Sequence, residues 1–193
     1  MMKRLEFLQA LAEYRTDELV LTAWQSSYPW NQLSPSKFNY PAVRTMGECS
    51  TFALGLAIAR PDKRVVVLEG DGSLCMNLGS LITIATAAPP NFRQFILHNR
   101  IYETTGGQTL PNVEHLDFLM IARGAGISQL HRYGDLATFK RELPQVMNEQ
   151  GPVFTVLDIE PDETHLSADS FSKKVRSRDK DFNKQFRAAL REA

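Results

Sequence analysis

Apolar positions along this chain change their period several times, and each change predicts an element. Leu5, Leu8, Leu11 and Ala12 recur at helical spacing, so Met2 to Arg15 reads as an amphipathic helix. Glu18 to Trp24 is a short apolar run of strand character. From Gln25 to Val43 the periodicity disappears among Pro29, Pro35, Pro41 and several aromatic residues, which predicts a long functional loop. Beyond Met46-Gly47-Glu48 the alanine-rich stretch TFALGLAIA predicts a helix ending near Pro61. Val65 to Leu68 is continuous and largely β-branched, as expected of a strand covered on both faces of a parallel sheet. It stops at Gly70-Asp71-Gly72-Ser73, after which a helical pattern runs to about Ala88 and ends at Pro89-Pro90. Further strands follow at Phe92 to Leu97, Ile127 to His131 and Pro152 to Ile159, with helices at Leu116 to Ala122 and Leu136 to Met147. Such alternation predicts an α/β fold: a parallel sheet of five or six strands with helices on both faces.

Composition narrows the function classes. The 193 residues fit one domain, with an N-terminal helix and loop over 1–43 and a basic tail over 161–193 as appendages. With 22 basic and 22 acidic residues the net charge is zero, which gives no electrostatic case for nucleic acid or a membrane surface. The tail carries Lys173, Lys174, Arg176, Arg178, Lys180, Lys184, Arg187 and Arg191, and reads as a basic surface helix. The cysteines, Cys49 and Cys75, match no zinc spacing and read as small buried hydrophobes. The charged N-terminus lacks the uninterrupted apolar stretch of a signal peptide and no run is long enough to span a bilayer, so a cytoplasmic protein is expected.

In open parallel sheets, ligands bind where loops leave the carboxyl ends of the strands. Two such loops carry chemistry. Gly70-Asp71-Gly72-Ser73 opens a helix whose unpaired N–H groups favour phosphate oxygens, yet it carries an acid. An acidic residue there implies a bridging divalent cation. His98-Asn99-Arg100-Ile101-Tyr102 ends the next strand, and Asn99 follows Asp71 by 28 positions (99 − 71), about one helix plus one strand. The Asp71 carboxylate and the Asn99 amide oxygen therefore come to neighbouring strand ends, as hard oxygen ligands suited to Mg²⁺.

This pattern resembles the motif of the thiamine-diphosphate-dependent 2-oxoacid decarboxylases, GDG followed by a paired Asn, with His98 in place of the first Asn. GDGSLCMNLGSLITIA and IYETTGGQ are most similar to the phosphonopyruvate and sulfopyruvate decarboxylase branch, and the similarity runs from about Val43 to Pro161. The resemblance implies the diphosphate-binding (PP) domain of that family. It implies that Asp71, Asn99 and the Ile101 carbonyl hold Mg²⁺ against the diphosphate of thiamine diphosphate, with backbone amides at Gly72, Ser73 and Tyr102 on the phosphate oxygens. In the upstream run Thr45-Met46-Gly47, Met46 matches the apolar wedge between the cofactor's rings, and the Arg44 carbonyl matches the acceptor for its aminopyrimidine group. Gly70 completes the cofactor-binding loop.

The family also needs a pyrimidine-binding (PYR) domain that supplies a glutamate to the cofactor, and about 170 such residues do not fit before Met46. The resemblance thus implies a split subunit with no catalytic residue of its own, completed by a PYR-domain partner in a hetero-oligomer built on dimers. Its substrate would be a small 2-oxoacid, decarboxylated to an aldehyde. A carboligase subunit of the same superfamily and a non-catalytic cofactor-binding module remain alternatives. Thr104 to Gln108 reads as a mobile lid.

Overall fold

The computed structural model describes residues 1–42, 46–162 and 182–192. Its elements are α1 (Arg4–Tyr14), β1 (Leu19–Thr22), α2 (Ser27–Leu33), β2 (Asn39–Pro41), α3 (Cys49–Ala59), β3 (Val65–Gly70), α4 (Asp71–Cys75) and α5 (Ser80–Ala87). They continue as β4 (Phe92–His98), β5 (Ile101–Tyr102), β6 (Gln108–Thr109), α6 (Phe118–Ala125), β7 (Gln129–Tyr133), α7 (Leu136–Asn148) and β8 (Val153–Asp158). A further helix occupies residues 182–192.

Six strands form one parallel sheet in the order β2-β1-β3-β4-β8-β7, and β5 with β6 makes a small antiparallel ribbon beside it. The expected α/β sheet with helices on both faces is what forms. The continuous apolar run of β3 is explained by its two covered faces. Val65 and Val67 enter a core shared with α3, α5, α6 and the 182–192 helix, whereas Val66 and Leu68 enter a core shared with α1 and α7. Among the described residues no helix is long and apolar enough to cross a membrane.

The strand order reverses between β1 and β3, since β1 leads outward to β2 while β3 leads the other way to β4. That reversal opens a crevice at the carboxyl edge of the sheet.

Three expectations change. Residues 25–42 hold the end of a 3₁₀ turn, α2 and β2 rather than an irregular loop. Pro29 lies in the first turn of α2, where its missing N–H breaks no helical bond. The segment is ordered by polar contacts that no hydrophobic period records. Buried Trp30 donates from Nε1 to Asn39 Oδ1 at 3.1 Å, and Asn39 Nδ2 donates to Asn31 Oδ1 at 2.9 Å and to the Ser34 carbonyl at 2.8 Å. In α1 the buried face carries Arg4, Phe7, Leu8 and Leu11, while Leu5 is exposed. The tail is not a purely solvated helix either: Phe186 and Ala189 are buried, and the Phe186 ring lies 5.2 Å from Tyr40. The remaining basic positions, Lys173 to Lys180, lie outside the described residues.

On the α1/α7 side Phe139 meets Phe7, Phe95 and Tyr133, with ring centroids 6.4, 6.3 and 5.5 Å away. Phe139→Ala is therefore expected to cost about 3–5 kcal/mol of stability in urea denaturation, because three rings lose one shared neighbour. A midpoint unchanged from the parent protein would contradict this packing.

Candidate functional site

Gly70 of β3 pairs with Leu97 of β4, so the next residues of both strands leave the sheet side by side. Together with the segment after β1 they bound an open cleft with a cavity volume of about 60 Å³. Met46, Gly70, Asp71, Gly72, Ser73, Asn99, Ile101 and Tyr102 all line it. Gly47 stands just behind, its N–H donating to Ser73 Oγ at 2.9 Å. Arg44 and Thr45 lie outside the described residues.

Asp71 is the first residue of α4 and is only 1% exposed. Its Oδ1 accepts from the Gly72 N–H at 2.8 Å and its Oδ2 from the Arg100 N–H at 2.7 Å. The His98 Nε2 lies 3.9 Å from Oδ2, outside hydrogen-bond range. Burial pushes this carboxyl up to about 6, against the pull of the Arg100 amide and of His98. Two amides orient the side chain without neutralising it.

Asn99 Oδ1 accepts from the Ile101 N–H at 3.2 Å, and its Nδ2 donates to Glu103 Oε2 at 2.8 Å. Across the cleft Tyr102 lies directly against Gly72. A Cβ at that glycine would sit 2.7 Å from the Tyr102 ring. Only glycine allows the loop and ring this close, leaving backbone rather than side chain facing the cleft. Gly47 adopts φ +80, a left-handed conformation that turns the chain from residue 46 into α3.

A buried polar chain supports the loop from behind. Gln94 Nε2 donates to Ser50 Oγ at 2.7 Å, Ser50 donates to Glu69, and Ser73 Oγ donates to Glu69 Oε1 at 2.7 Å while accepting from Gly47. Burial raises the Glu69 carboxyl above its usual range, although these donors oppose the shift. The Ser73 hydroxyl is thus committed to structure. Burial also pushes Cys75 up to about 11 and buried Cys49 well above the ordinary thiol range, so neither is a thiolate nucleophile at neutral pH.

Sequence reasoning missed several cleft residues: Trp24, Gln25 and Ser26 after β1, Leu97, and the pair Arg4 and Glu103. Arg4 carried a signal. It precedes Phe7, Leu8 and Leu11 by three, four and seven positions, so a cation stands on the buried stripe of α1. Glu103 carried none, because no spacing marks an acid that folds back onto an amide four residues earlier. The loop 104–108 forms the β5/β6 tip, with Thr104 on the cleft and Gln108 Nε2 donating to the Thr105 carbonyl at 2.9 Å. Glu48 is exposed at the start of α3 and does not line the cleft.

A crevice at the strand reversal, lined by an acid, an amide and a glycine-backed loop, is where a parallel α/β protein binds its ligand. Residues 20–157 match the family described as thiamine pyrophosphate enzyme, C-terminal TPP binding domain. The chain belongs to that family and is a thiamine-diphosphate-binding domain. It is 34% identical to sulfopyruvate decarboxylase subunit beta of Methanothermobacter thermautotrophicus, over 83% of this chain and 84% of the relative. It is 35% identical to phosphonopyruvate decarboxylase of Streptomyces hygroscopicus, over 74% of this chain but only 35% of that protein. Among solved structures, benzoylformate decarboxylase of Polynucleobacter necessarius superposes with a TM-score of 0.69 at 21% identity, over 83% of this chain and 33% of that one. The chain therefore spans about a third of the longer relatives.

Since the folded chain holds the Asp71 proton more tightly than an unfolded one, with its ordinary value near 3.8, this carboxyl's contribution to stability is full at low pH. It is lost as pH rises through about 6. Without divalent cations, the stability of the parent protein relative to Asp71→Ala is expected to fall by about 2–3 kcal/mol between pH 4 and pH 7.5. A difference independent of pH would contradict the buried, unneutralised carboxylate.

Proposed function

We propose that this chain is the diphosphate-binding subunit of a split, thiamine-diphosphate-dependent 2-oxoacid decarboxylase of the sulfopyruvate or phosphonopyruvate type. The observation that carries this reading is the meeting of Asp71, Asn99, Ile101 and the Gly72–Tyr102 contact in one cleft at the sheet's carboxyl edge. Coverage supports the split arrangement, because the chain matches 84% of a relative named as a beta subunit and only 35% of phosphonopyruvate decarboxylase.

The residues present fit a Mg²⁺ diphosphate. Asp71 is buried with only amides in hydrogen-bond reach and His98 at 3.9 Å, so its ionised form is costly and a divalent ion offsets that cost. Among the described residues no group of three His, Cys, Asp or Glu side chains could hold a metal. The ion would then rest on Asp71, the Asn99 amide oxygen and the Ile101 carbonyl, with phosphate oxygens filling the other positions, as suits Mg²⁺. Backbone amides of Gly72, Ser73 and Tyr102 would meet the phosphates. Arg44, Thr45, Met46, Gly47 and Gly70 would complete the proposed binding set, with Met46 as the apolar wedge between the cofactor's two rings.

When bound, thiamine diphosphate supplies the electron sink that accepts the pair released as CO₂ leaves. This chain's residues would fix the position of the cofactor's diphosphate. Reading a proton at the cofactor belongs to a PYR-domain partner, which would contribute the glutamate. The whole chain would act as one PP unit in a hetero-oligomer built on dimers.

Two outcomes test this. The purified chain is expected to leave sulfopyruvate and phosphonopyruvate untouched, with CO₂ release appearing once a PYR-domain subunit, thiamine diphosphate and Mg²⁺ are added. Enzyme-like turnover by the single chain would overturn the split site. Asp71→Ala is expected to abolish Mg²⁺-dependent cofactor binding in calorimetry while keeping a cooperative melt, and an unchanged titration would overturn the metal assignment.

A further inference from the structure

Arg4 and Glu103 are charged, almost fully buried, and unexplained by the cofactor site as drawn from its loops. The Arg4 side chain is 7% exposed and that of Glu103 6% exposed, and the two form an ion pair. Both carboxylate oxygens of Glu103 are engaged, and Oε2 is the one that meets Arg4. Oε2 accepts from Asn99 Nδ2 at 2.8 Å, and Oε1 accepts from the Asp162 N–H at 2.9 Å. Arg4 also reaches the Asp162 carboxylate at 3.3 Å. One glutamate therefore ties α1, the end of β4 and the chain beyond β8 together at the wall of the cleft. Arg4 and Asp162 both lie outside the matched family segment 20–157.

The consequence lies in the Asn99 amide. A primary amide presents oxygen at one end and two N–H donors at the other, and only the oxygen binds a cation. A carboxylate accepts and cannot donate, so Glu103 claims the NH₂ end and leaves Oδ1 on the side of Ile101. We propose that Glu103, held by Arg4 from the N-terminal helix, is a positioning residue that presents the Asn99 oxygen to the divalent cation. This rests on the reading of Asn99 as a metal ligand. Hydrogen-bonding partners of metal ligands set ligand orientation, and their loss typically weakens metal affinity about 10- to 100-fold.

The test compares two double variants of the full chain that both remove the buried ion pair. Arg4→Met with Glu103→Leu leaves no acceptor for Asn99 Nδ2, whereas Arg4→Met with Glu103→Gln keeps a carbonyl oxygen in reach. Neither leaves a buried charge unpaired, and both release α1 equally from its electrostatic tether. Mg²⁺ is titrated at fixed thiamine diphosphate in a Trp30→Phe background, so that the fluorescence of Trp24 at the cleft is the readout, and a thermal melt follows each variant. The leucine variant is expected to need about 10- to 100-fold more Mg²⁺ for half-saturation, and the glutamine variant to return to within a few-fold of the parent. Equal weakening in both, or in neither, would overturn the positioning role. Asn99→Ala separates the two levels. If it titrates like the parent, or if the parent shows no Mg²⁺-linked binding, the site reading itself falls and this inference with it. If it loses binding while the leucine variant does not, only the role of Glu103 falls.

Discussion

A carboxylate held in the crevice where the strand order reverses is the constraint on which the rest of this molecule turns. Asp71 cannot move far: it begins α4 directly at the end of β3, and amides from Gly72 and Arg100 hold its two oxygens. Nor is it comfortable there, since burial raises its proton affinity and its fixed partners are neutral amides. Such a group is poorly explained as a stabilising feature and well explained as one end of a cation site. The parallel sheet supplies what this arrangement requires, two strand ends at one level with glycine at the tightest approach.

The surroundings of that carboxylate divide into two supports. Behind the loop, Gln94, Ser50, Glu69 and Ser73 form a buried chain that ends on the Gly47 amide, so the turn carrying Met46 is referred to the sheet interior. In front, Glu103 joins the Asn99 amide to α1 and to the segment after β8. Both supports are hydrogen-bonded networks in a low-dielectric setting, where each bond is stronger than in water, and each leaves one buried atom unpaired, Gln94 Oε1 in the first and Arg4 Nε in the second. The cleft is therefore built from residues distant in sequence whose geometry is set by the packed core.

Most of the fold was legible because periodicity reports burial directly. The run Val65 to Leu68 has to be covered on both sides, and the alternation around it leaves few topologies open. Asp71 and Asn99 were legible for a related reason, since a single crossover, α4 and α5 followed by β4, carries the chain from one to the other. What stayed hidden is non-periodic. Trp30 and Asn39 organise α2 and β2 through side-chain hydrogen bonds inside a segment that reads as loop. Phe186 and Ala189 anchor a helix whose composition advertises charge. Glu103 folds back on Asn99 through a 3₁₀ turn, and nothing in its own sequence neighbourhood names Arg4 as its partner.

The most direct test of the central claim is a crystal structure of the chain with thiamine diphosphate, using Mn²⁺ in place of Mg²⁺ so that anomalous scattering locates the ion. A peak about 2.1 Å from a carboxylate oxygen of Asp71 and from Asn99 Oδ1, bridged to the diphosphate, is the predicted result. A diphosphate bound with the ion elsewhere, or with Asp71 and Asn99 turned from it, would contradict the account.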